Sequence, residues 1–481
     1  MKYIIILLIF LNAQLFCQKQ GNIWYFGDHA GLDFNSGNPI PLMDGATYND
    51  NYPHSEGTSV ICDSTGNLLF YTNGQKIWNR NHQIMPNGDS LLGHLSSTQA
   101  ALIVPQPGNS RYFYVFTTDA FYEDQLKYGF RYSIVDICLD NGYGDIISGQ
   151  KNILLLDTVA EKLTAVRHAN GSDYWIITHK FFSDAFYAYL LTSTGISDTT
   201  ITHIGSIHTE YCPSSTFPTR SALGQLKASP DGSKIACVNG QTCYNISELF
   251  DFDNSTGVVS NVIQLKADTL AAGLYGVSFS PDNSKLYISS WIGNDRIYQF
   301  DLSSGIPTTI INSKTIIAEH AGGPWYQGMQ LGPDGKIYVA VINQSYLSVI
   351  NNPNQQGSAC NFSELTVSLN GNTCSHGLPN FIDFFDYSNT ITNCEVNLNE
   401  NETFNIKIYP NPAFKEINII INKTIKSNYS IKIYNINGVL VKEQTENSNK
   451  INIDVKNLEN SLYIIKITGN DFICTKPFIK L

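Results

Sequence analysis

Several polar and aromatic side chains stand next to short apolar segments of the chain, where together they could bind a ligand. They are His54 and Glu56, Gln99, Arg167, Gln225, Trp325 to Gln327, and His376. Aromatic rings offer a flat stacking surface, and amide, imidazole and carboxylate groups hydrogen-bond to hydroxyls, so such a rim could bind a glycan. The competing structural role is that these residues cap strands and satisfy loop backbone groups.

An enzyme would need a base, a group that orients it and a reachable substrate position. Glu56 and His376 are the pair we would assign to a hydrolase. The chain has no Gly-x-Ser-x-Gly elbow, phosphate-binding loop or His-Glu-x-x-His helix. His208 and Glu210 are residue types that could serve an active site, and one residue separates them. We interpret the segment that contains them as a solvated loop. Asp251 to Gly257 begins like a calcium loop but lacks its distal Glu, so we expect no metal site there. For the chain as a whole we expect no metal, no cofactor and no catalytic residue.

A repeated turn organises the long first part of the chain. Pro333-Asp334-Gly335 precedes alternating apolar and aromatic residues, and the same unit starts at Pro230 and Pro281, spaced 51 and 52 residues apart. Pro presets φ at the first corner of a turn and Gly accepts a positive φ, which favours a hairpin. A period near fifty residues indicates a repeat architecture.

Six copies of a strand–turn–strand unit can be followed, and several have a third strand. The first strand of each copy is predicted at 57–61, 99–104, 163–166, 225–228, 276–279 and 328–331. A small apolar strand followed by amphipathic strands is typical of a β-propeller blade. The candidate ligand residues would then lie at the mouth of the central channel.

The two ends of this region predict how the ring closes. A lone strand at 378–383 has no partner after it, and strands at 22–27 and 31–35 have none before them. We expect one C-terminal strand to complete a blade begun at the N-terminus, which would remove exposed strand edges. The prediction is an all-β chain with a seven-bladed propeller, with six or eight blades as alternatives.

Composition and charge limit the partners. The formal net charge is −11, which argues against nucleic acid because phosphate binding requires a basic surface. Residues 1–17 begin with Met1-Lys2 and continue with a short apolar run, which indicates a cleaved secretory signal peptide. No other segment is apolar enough for a transmembrane helix. Ten cysteines suit an oxidising compartment, and Cys237/Cys243 and Cys360/Cys374 are the disulfides that local spacing favours.

The last eighty residues differ in charge from the rest. From 401 to 481 there are eleven Lys, no Arg and seven acidic residues, whereas the preceding residues contain 19 basic and 34 acidic ones. This shift marks a domain boundary. Alternating strands predict a small β-sandwich. The predicted organisation is a signal peptide at 1–17, a propeller at 21–388, a linker at 389–401 and a sorting domain at 402–481.

The motifs of this C-terminal part carry a resemblance. Tyr409-Pro410-Asn411-Pro412, the Ile433–Gly438 segment and Ser461-Leu462-Tyr463 resemble the type A C-terminal sorting domain of the Bacteroidetes type IX secretion system, with Ser461 where that family usually has Gly. The resemblance implies export by the type IX machinery, removal of the domain, and release or attachment to surface polysaccharide. It assigns the sorting motif to Tyr409, Pro410, Asn411, Pro412, Gly438 and Tyr463.

The N-terminal part carries a second resemblance. Trp24–Gly27, Leu68–Gly74 and Trp78–Arg80 resemble the propeller-like ectodomains common in such cargo. We expect a secreted or cell-surface binding module for adhesion or for recognition of a glycan or protein. Because some similar propellers are lactonase-like hydrolases, a secreted hydrolase with its site at the channel mouth is the alternative.

Overall fold

A computed structural model describes most of the 481-residue chain. The described residues are 19–47, 56–209, 221–240, 246–266, 273–291, 294–383, 406–421, 428–436, 438–469 and 472–481. The chain divides into two compact units, Met1–Cys394 and Glu395–Leu481. Within the described ranges, no helix is long and apolar enough to cross a membrane. The predicted signal peptide and linker lie outside the described residues.

The first unit is built from small antiparallel sheets, in agreement with the all-β prediction. Seven sheets are formed by its described residues, and in six of them consecutive strands pair in chain order. It also contains the short helices α1 (Phe121–Asp124) and α2 (Pro307–Asn312).

The first three sheets comprise β1 (Ile23–Phe26), β2 (Ala30–Asp33) and β3 (Ile40–Leu42); β4 (Ser59–Cys62), β5 (Leu68–Thr72) and β6 (Ile77–Asn79); and β7 (Ala101–Pro105), β8 (Tyr112–Thr117), β9 (Phe130–Asp136), β10 (Asp145–Ile146) and β11 (Ile153–Leu156). In the third sheet both β10 and β11 pair with β9.

The remaining four sheets have four strands each. They comprise β12 (Val159–Arg167), β13 (Tyr174–Lys180), β14 (Ser183–Thr192) and β15 (Gly195–His208); β16 (Leu226–Ala228), β17 (Lys234–Val238), β18 (Ile246–Asp253) and β19 (Val258–Lys266); β20 (Leu274–Phe279), β21 (Lys285–Ser290), β22 (Asn294–Asp301) and β23 (Thr315–Ala321); and β24 (Tyr326–Leu331), β25 (Ile337–Val341), β26 (Tyr346–Ile350) and β27 (Phe362–Ser368).

The repeated Pro-Asp turn connects the first and second strands of three sheets, as predicted. In the copy between β16 and β17, the Gly232 amide donates to the Ser229 carbonyl over 2.8 Å, and Gly232 has a φ of +69°. The Asp231 carboxylate accepts from the Ser233 amide over 3.0 Å. A side chain at Gly232 would be strained, so the Gly is fixed by backbone geometry.

The first strands of successive sheets lie beside one another. Contacts link β1 to β4, β4 to β7, β7 to β12, β12 to β16, β16 to β20 and β20 to β24. These strands surround a common centre, which we call the axis. We call the side from which the chain enters these strands the entry end, and the side where it leaves them the exit end.

Glutamine side chains join neighbouring first strands at the axis. Gln99 Oε1 accepts from the Leu163 amide over 3.1 Å and from the Leu226 amide over 2.7 Å. Gln225 Oε1 likewise accepts from the Val277 amide over 3.0 Å and the Met329 amide over 2.9 Å. Each glutamine therefore accepts from backbone amides on two different sheets and links those sheets across the axis.

Asn380 is the central polar residue of the axis. Its Nδ2 donates to the Leu163 carbonyl over 2.9 Å, and its Oδ1 accepts from Lys227 Nζ over 3.1 Å and from Gln99 Nε2 over 3.3 Å. Its backbone amide donates to the Thr58 carbonyl over 2.7 Å. One side chain thus contacts residues of several sheets.

The closure of the ring differs in detail from the prediction. Residues 378–383 form a single parallel bridge, between Pro379 and Thr58, and no ladder to β1 is present among the described residues. The two ends are joined instead by a bridge from Asp28 to Thr373 and by packing of Trp24 on Phe381, with ring centroids 5.9 Å apart. The physical reason is that residues 378–383 lie along the axis, where Asn380 bonds with Gln99, Lys227 and Leu163.

The cysteine predictions were wrong. Cys237, Cys360 and Cys374 are free buried thiols, as is Cys62, whereas Cys138 is disulfide-bonded. Cys360 and Cys374 are close in sequence but pack in two different hydrophobic clusters. Cys237 likewise packs within the core beside β16 and β18. Proximity along the chain therefore did not bring these thiols together, and they pack as small apolar side chains.

The second unit contains two antiparallel sheets. Its strands are β28 (Ile406–Tyr409), β29 (Glu416–Ile421), β30 (Tyr429–Asn435), β31 (Leu440–Glu446), β32 (Lys450–Asp454), β33 (Ser461–Gly469) and β34 (Phe472–Lys480). One sheet has the order β28-β29-β32 and the other β31-β30-β33-β34. Alternate residues of both sheets, such as Ile419 and Ile465, share one hydrophobic core.

Because Asn380 bonds with several residues at the axis, we expect its replacement to lower the stability of the chain substantially. The Asn380→Ala variant would leave the Leu163 carbonyl without its side-chain donor and deprive Lys227 of one acceptor in a buried site. We expect the free energy of unfolding to fall by about 2–4 kcal/mol, measured by urea titration of the full chain.

The matched control is Asn38→Ala, at an exposed position. It should change the free energy of unfolding by less than about 0.5 kcal/mol. Equal stability of the two variants would contradict the structural role of Asn380.

Candidate functional site

A buried polar cluster occupies the entry end, and Glu56 is its first member. Glu56 lies just before β4 and is 8% exposed. Its Oε2 accepts from the Tyr275 hydroxyl, and its Oε1 lies 3.4 Å from the Ser96 hydroxyl. Tyr275 reaches this point because β20 begins at Leu274.

A second buried carboxylate, Glu161, belongs to the same cluster. It points from the start of β12, and Oε2 accepts from the Thr98 amide over 2.8 Å and the Thr98 hydroxyl over 2.9 Å. Its Oε1 accepts from the Phe121 amide over 2.8 Å. Donors from Thr98, before β7, and from the first residue of α1 thus fix this carboxylate in place.

The two carboxyl groups share an environment that favours protons. Burial raises the pKa of Glu56 well above its ordinary value, and the charge of Glu161 raises it further. Burial also raises the pKa of Glu161, to about 7, although the donors from Phe121 and Thr98 oppose the shift. Such a pair can retain a proton near neutral pH and could transfer it to or from a bound molecule.

Two more of the predicted residues join this cluster. The His376 ring lies 6.0 Å from the Tyr275 ring, and its Nδ1 is 3.4 Å from Gln327 Oε1. Gln327 is fully buried, whereas His376 is half-buried. The structure therefore brings Glu56, Gln327 and His376 together.

The other predicted residues occupy different positions. The side chains of Gln99 and Gln225 bond across the axis, as described above. Trp325 directly precedes β24 and is 46% exposed. His54 lies outside the described residues.

Arg167 is separated from this cluster. We expected Arg167 at the mouth of the channel with the other candidate residues, but it is the last residue of β12, which starts at Val159. Glu161 and Arg167 are six residues apart along that strand, which corresponds to as much as about 20 Å. Arg167 therefore lies at the exit end, where it donates to the Gly171 carbonyl.

The sequence reading missed Glu161, Lys162 and Tyr275. Lys162 is fully buried, and its Nζ donates to the carbonyls of Leu223, Gly224 and Val238 over 2.6, 2.9 and 2.7 Å. Burial lowers the pKa of Lys162 to about 8. A Glu-Lys pair inside an otherwise apolar strand was a signal that could have identified both residues, because buried charges require partners.

The interpretation of His208 as part of a solvated loop was wrong. It ends β15, is fully buried, and stacks on His179 with ring centroids 3.6 Å apart. Burial lowers the pKa of His179 to about 3, and that of His208 falls well below its usual value for the same reason. Burial therefore favours the neutral form of both rings. Glu210 lies outside the described residues.

The side chains of the described ranges do not form a metal site. No group of three or more His, Cys, Asp or Glu residues within them has a geometry that could hold a metal ion.

The predicted sorting motif divides into exposed and buried parts. Tyr409, Pro410, Asn411 and Pro412 are exposed. Asn411 Oδ1 accepts from the Ile479 amide over 2.8 Å, which ties this segment to the last strand. In contrast, Tyr463 is buried and stacks on Phe478 with ring centroids 5.5 Å apart.

Gly438 forms the turn between β30 and β31. It has a φ of +74°, and its amide donates to the Asn435 carbonyl over 3.0 Å. Its role in the motif is to permit this left-handed turn. Together with Tyr463, it supports the fold of the second unit, whereas residues 409–412 are accessible to a partner.

Sequence comparison identifies the second unit. Residues 407–480 match the family described as the secretion system C-terminal sorting domain. No curated protein matches the chain in sequence.

Solved structures resemble the chain in fold. A protein from Bacteroides uniformis described as a 6-phosphogluconolactonase aligns with 72% of this chain and 98% of its own, at 14% identity and a TM-score of 0.46. Its counterpart from Bacteroides fragilis covers 74% and 96%, at 12% identity and 0.45. The β-propeller domain of Cps50 (Swd1) from Myceliophteria thermophila covers 67% and 94%, at 11% identity and 0.39. These neighbours are β-propeller-like proteins.

The chain is cargo of the type IX secretion system. Its C-terminal sorting domain is the part that interacts with the secretion machinery, and it directs the chain to the cell surface or the extracellular space. The recognition of this domain from the motifs at residues 409–412 and 461–463 is confirmed.

The buried carboxyl pair predicts a stability that depends on pH. The pKa of Glu161 is about 7 in the folded chain against an ordinary 4.5, so the folded state binds more protons than the unfolded state between these values. The free energy of unfolding therefore falls as pH rises through this range. In the Glu56→Gln variant, the amide can still accept from Tyr275 and donate to Ser96. We expect this variant to exceed the wild type by about 1–3 kcal/mol at pH 7.

Urea unfolding at pH 4 and pH 7 measures this effect. At pH 4 the two proteins should have nearly equal free energies of unfolding. At that pH the Glu56 carboxyl of the wild type is protonated in the folded state and largely protonated in the unfolded state. Glu319→Gln, which changes a half-exposed carboxylate, is the control and should show no such difference. A Glu56→Gln variant less stable than wild type at pH 7 would contradict the account.

Proposed function

We propose that this secreted chain is a non-catalytic binding module that recognises a glycan or protein at the entry end of its first unit, in adhesion or surface recognition. The observation that carries the proposal is the 46% exposure of Trp325, which lies two residues before Gln327 at the start of β24. A large exposed aromatic at the edge of a polar site is suited to stacking on a sugar or packing against a protein side chain.

The groups at the entry end differ in their availability to a ligand. Gln99 and Gln225 use their amide oxygens for backbone donors on the axis, which makes a rigid floor. Gln327 Nε2 is buried without a hydrogen-bond partner in the described part of the chain. Since an unpaired buried donor is costly, a ligand hydroxyl or carbonyl would stabilise it. Trp325, Gln327 and His376 are therefore the residues that we assign to binding.

The architecture that we propose is a seven-bladed propeller followed by a β-sandwich. The seven small sheets of the first unit support the blade count, and the common core of the two tail sheets supports the sandwich. We propose the domain bounds 21–388 and 402–481 with a linker at 389–401. The division of the chain at Cys394 and Glu395 supports them.

The same proposal covers the route to the surface. A signal peptide at 1–17 would direct the chain to the periplasm of a Bacteroidetes bacterium and be cleaved there. The sorting domain would then be removed at the surface, and the propeller would be released or attached. The matched family at residues 407–480 supports this route.

Trp325→Ala should separate binding from structure. Loss of the exposed ring removes stacking area, so we expect binding of the full chain to a glycan array, or to a captured surface protein, to weaken about tenfold or more. Tyr346→Ala, which removes another exposed aromatic, is the matched control and should bind as the wild type does. Equal binding by Trp325→Ala and the wild type would overturn the assignment of this end.

A secreted propeller hydrolase is the second candidate, favoured by the proton-holding pair Glu56 and Glu161. In that case Glu56 or Glu161 would act as the acid or base, with His376 completing the site. The test is a screen of the full chain against lactones and glycosides. Turnover that is lost in both Glu56→Ala and His376→Ala, while their folds persist by circular dichroism, would overturn the binding-only proposal.

Deletion of residues 402–481 tests the sorting step. Because the exposed Tyr409–Pro412 segment and its supporting sheets would be lost, we expect the truncated chain to accumulate in the periplasm, measured by fractionation and immunoblotting. A reporter protein with residues 1–20 at its N-terminus and residues 389–481 at its C-terminus is the matched control and should be exported. Normal export of the truncated chain would refute the role of this domain.

A further inference from the structure

A cavity of about 230 Å³ lies at the exit end, away from the site proposed above. It is lined by the end of β12, the turn after β16, and the last described residues of the first unit. Its polar lining residues are Arg167, His168, Ser229, Asp231, Asn254 and Asp383. The volume is below the roughly 300–1,000 Å³ of pockets for drug-sized ligands, so one small polar unit is the appropriate size of ligand.

Asp383 gives this cavity a specific chemical demand. Its side chain is 7% exposed, and Oδ1 lies 3.7 Å from Lys227 Nζ and accepts from Gln330 Nε2 over 3.3 Å. The other oxygen, Oδ2, is buried with no hydrogen-bond partner in the described part of the chain. An unpaired buried carboxyl oxygen is costly, so a ligand group that bonds to it would bind favourably.

The surrounding charges select the kind of group. An ammonium could pair with an ionised Asp383, but it would also face the Lys227 and Arg167 cations. A second carboxylate or a phosphate would be repelled by Asp383 and Asp231. A hydroxyl can both donate and accept, so it can bond with Asp383 in either protonation state and with the donors of Arg167 and His168.

The geometry points to a second ligand site, in which this cavity holds one hydroxylated ring, that is, a single sugar unit. Asp383 Oδ2 would bond with one hydroxyl, and Arg167 or His168 with another. The inference rests on the proposed role in recognition, since it supplies a subsite for a glycan. It differs from the entry-end site in place and in residues, so the two can be tested separately.

The experiment uses saturation-transfer NMR and calorimetric titration of the full chain with mannose, galactose, N-acetylglucosamine and glucose. Asp383→Asn keeps the shape of the side chain but replaces one carboxyl oxygen. Ala169→Trp fills the cavity from its exposed margin and leaves Asp383 and its partners unchanged. Asp282→Asn, in the equivalent turn of the next repeat and outside this cavity, is the control.

We expect at least one of these sugars to bind the wild type and the control, and to bind both cavity variants about tenfold more weakly or worse. If Asp383→Asn fails to fold, Ala169→Trp alone decides the outcome. Binding that is unchanged in Ala169→Trp, or absent from the wild type with all four sugars, overturns the exit-end site. Glycan-array binding that depends on Trp325 would still support the entry-end proposal in either case.

Discussion

The first unit depends on how the inner edges of its sheets are satisfied. Each first strand pairs with a second strand on one side only, so its other backbone groups face the axis, where water cannot reach them all. Such groups must find partners, because an unpaired buried amide or carbonyl is costly. Gln99 and Gln225 each accept two amides from different sheets, and Asn380 donates to the Leu163 carbonyl on β12 while its own backbone amide bonds to Thr58. These side chains replace the ladder bonds that a closed sheet would supply.

This constraint determines where function can reside. Side chains that bond across the axis are not free for a ligand, so Gln99 and Gln225 contribute rigidity. Unsatisfied groups remain at the two ends, where Gln327 Nε2 and Asp383 Oδ2 are buried without partners in the described part of the chain. Exposed Trp325 adds an apolar surface at the entry end. Because side chains at the centre of the ring are used in hydrogen bonds across the axis, the groups available for recognition lie at its two ends.

Local patterns in the sequence predicted much of the fold, because turns and alternation depend on nearby residues. The Pro-Asp turns placed β17, β21 and β25, and the motifs of the tail identified the sorting domain. Contacts between distant residues could not be predicted in this way. Glu161 and Tyr275 meet at Glu56 only through the arrangement of the sheets, and Cys360 and Cys374 enter different cores despite being neighbours in sequence. Arg167 was misplaced because it was grouped with the residues at the channel mouth, although it directly follows the strand predicted at 163–166 and in the structure ends β12.

The central claim is that side chains on the axis close the ring, and amide hydrogen exchange tests it most directly. The amides of Leu226, Val277 and Met329 donate to glutamine side chains, so their protection reports these bonds specifically. Exchange of the full chain, followed by mass spectrometry of short peptides or by NMR, should show these amides exchanging as slowly as those in the centres of β17 and β21. Exchange as fast as that of the exposed turn residues 303–305 would contradict the claim.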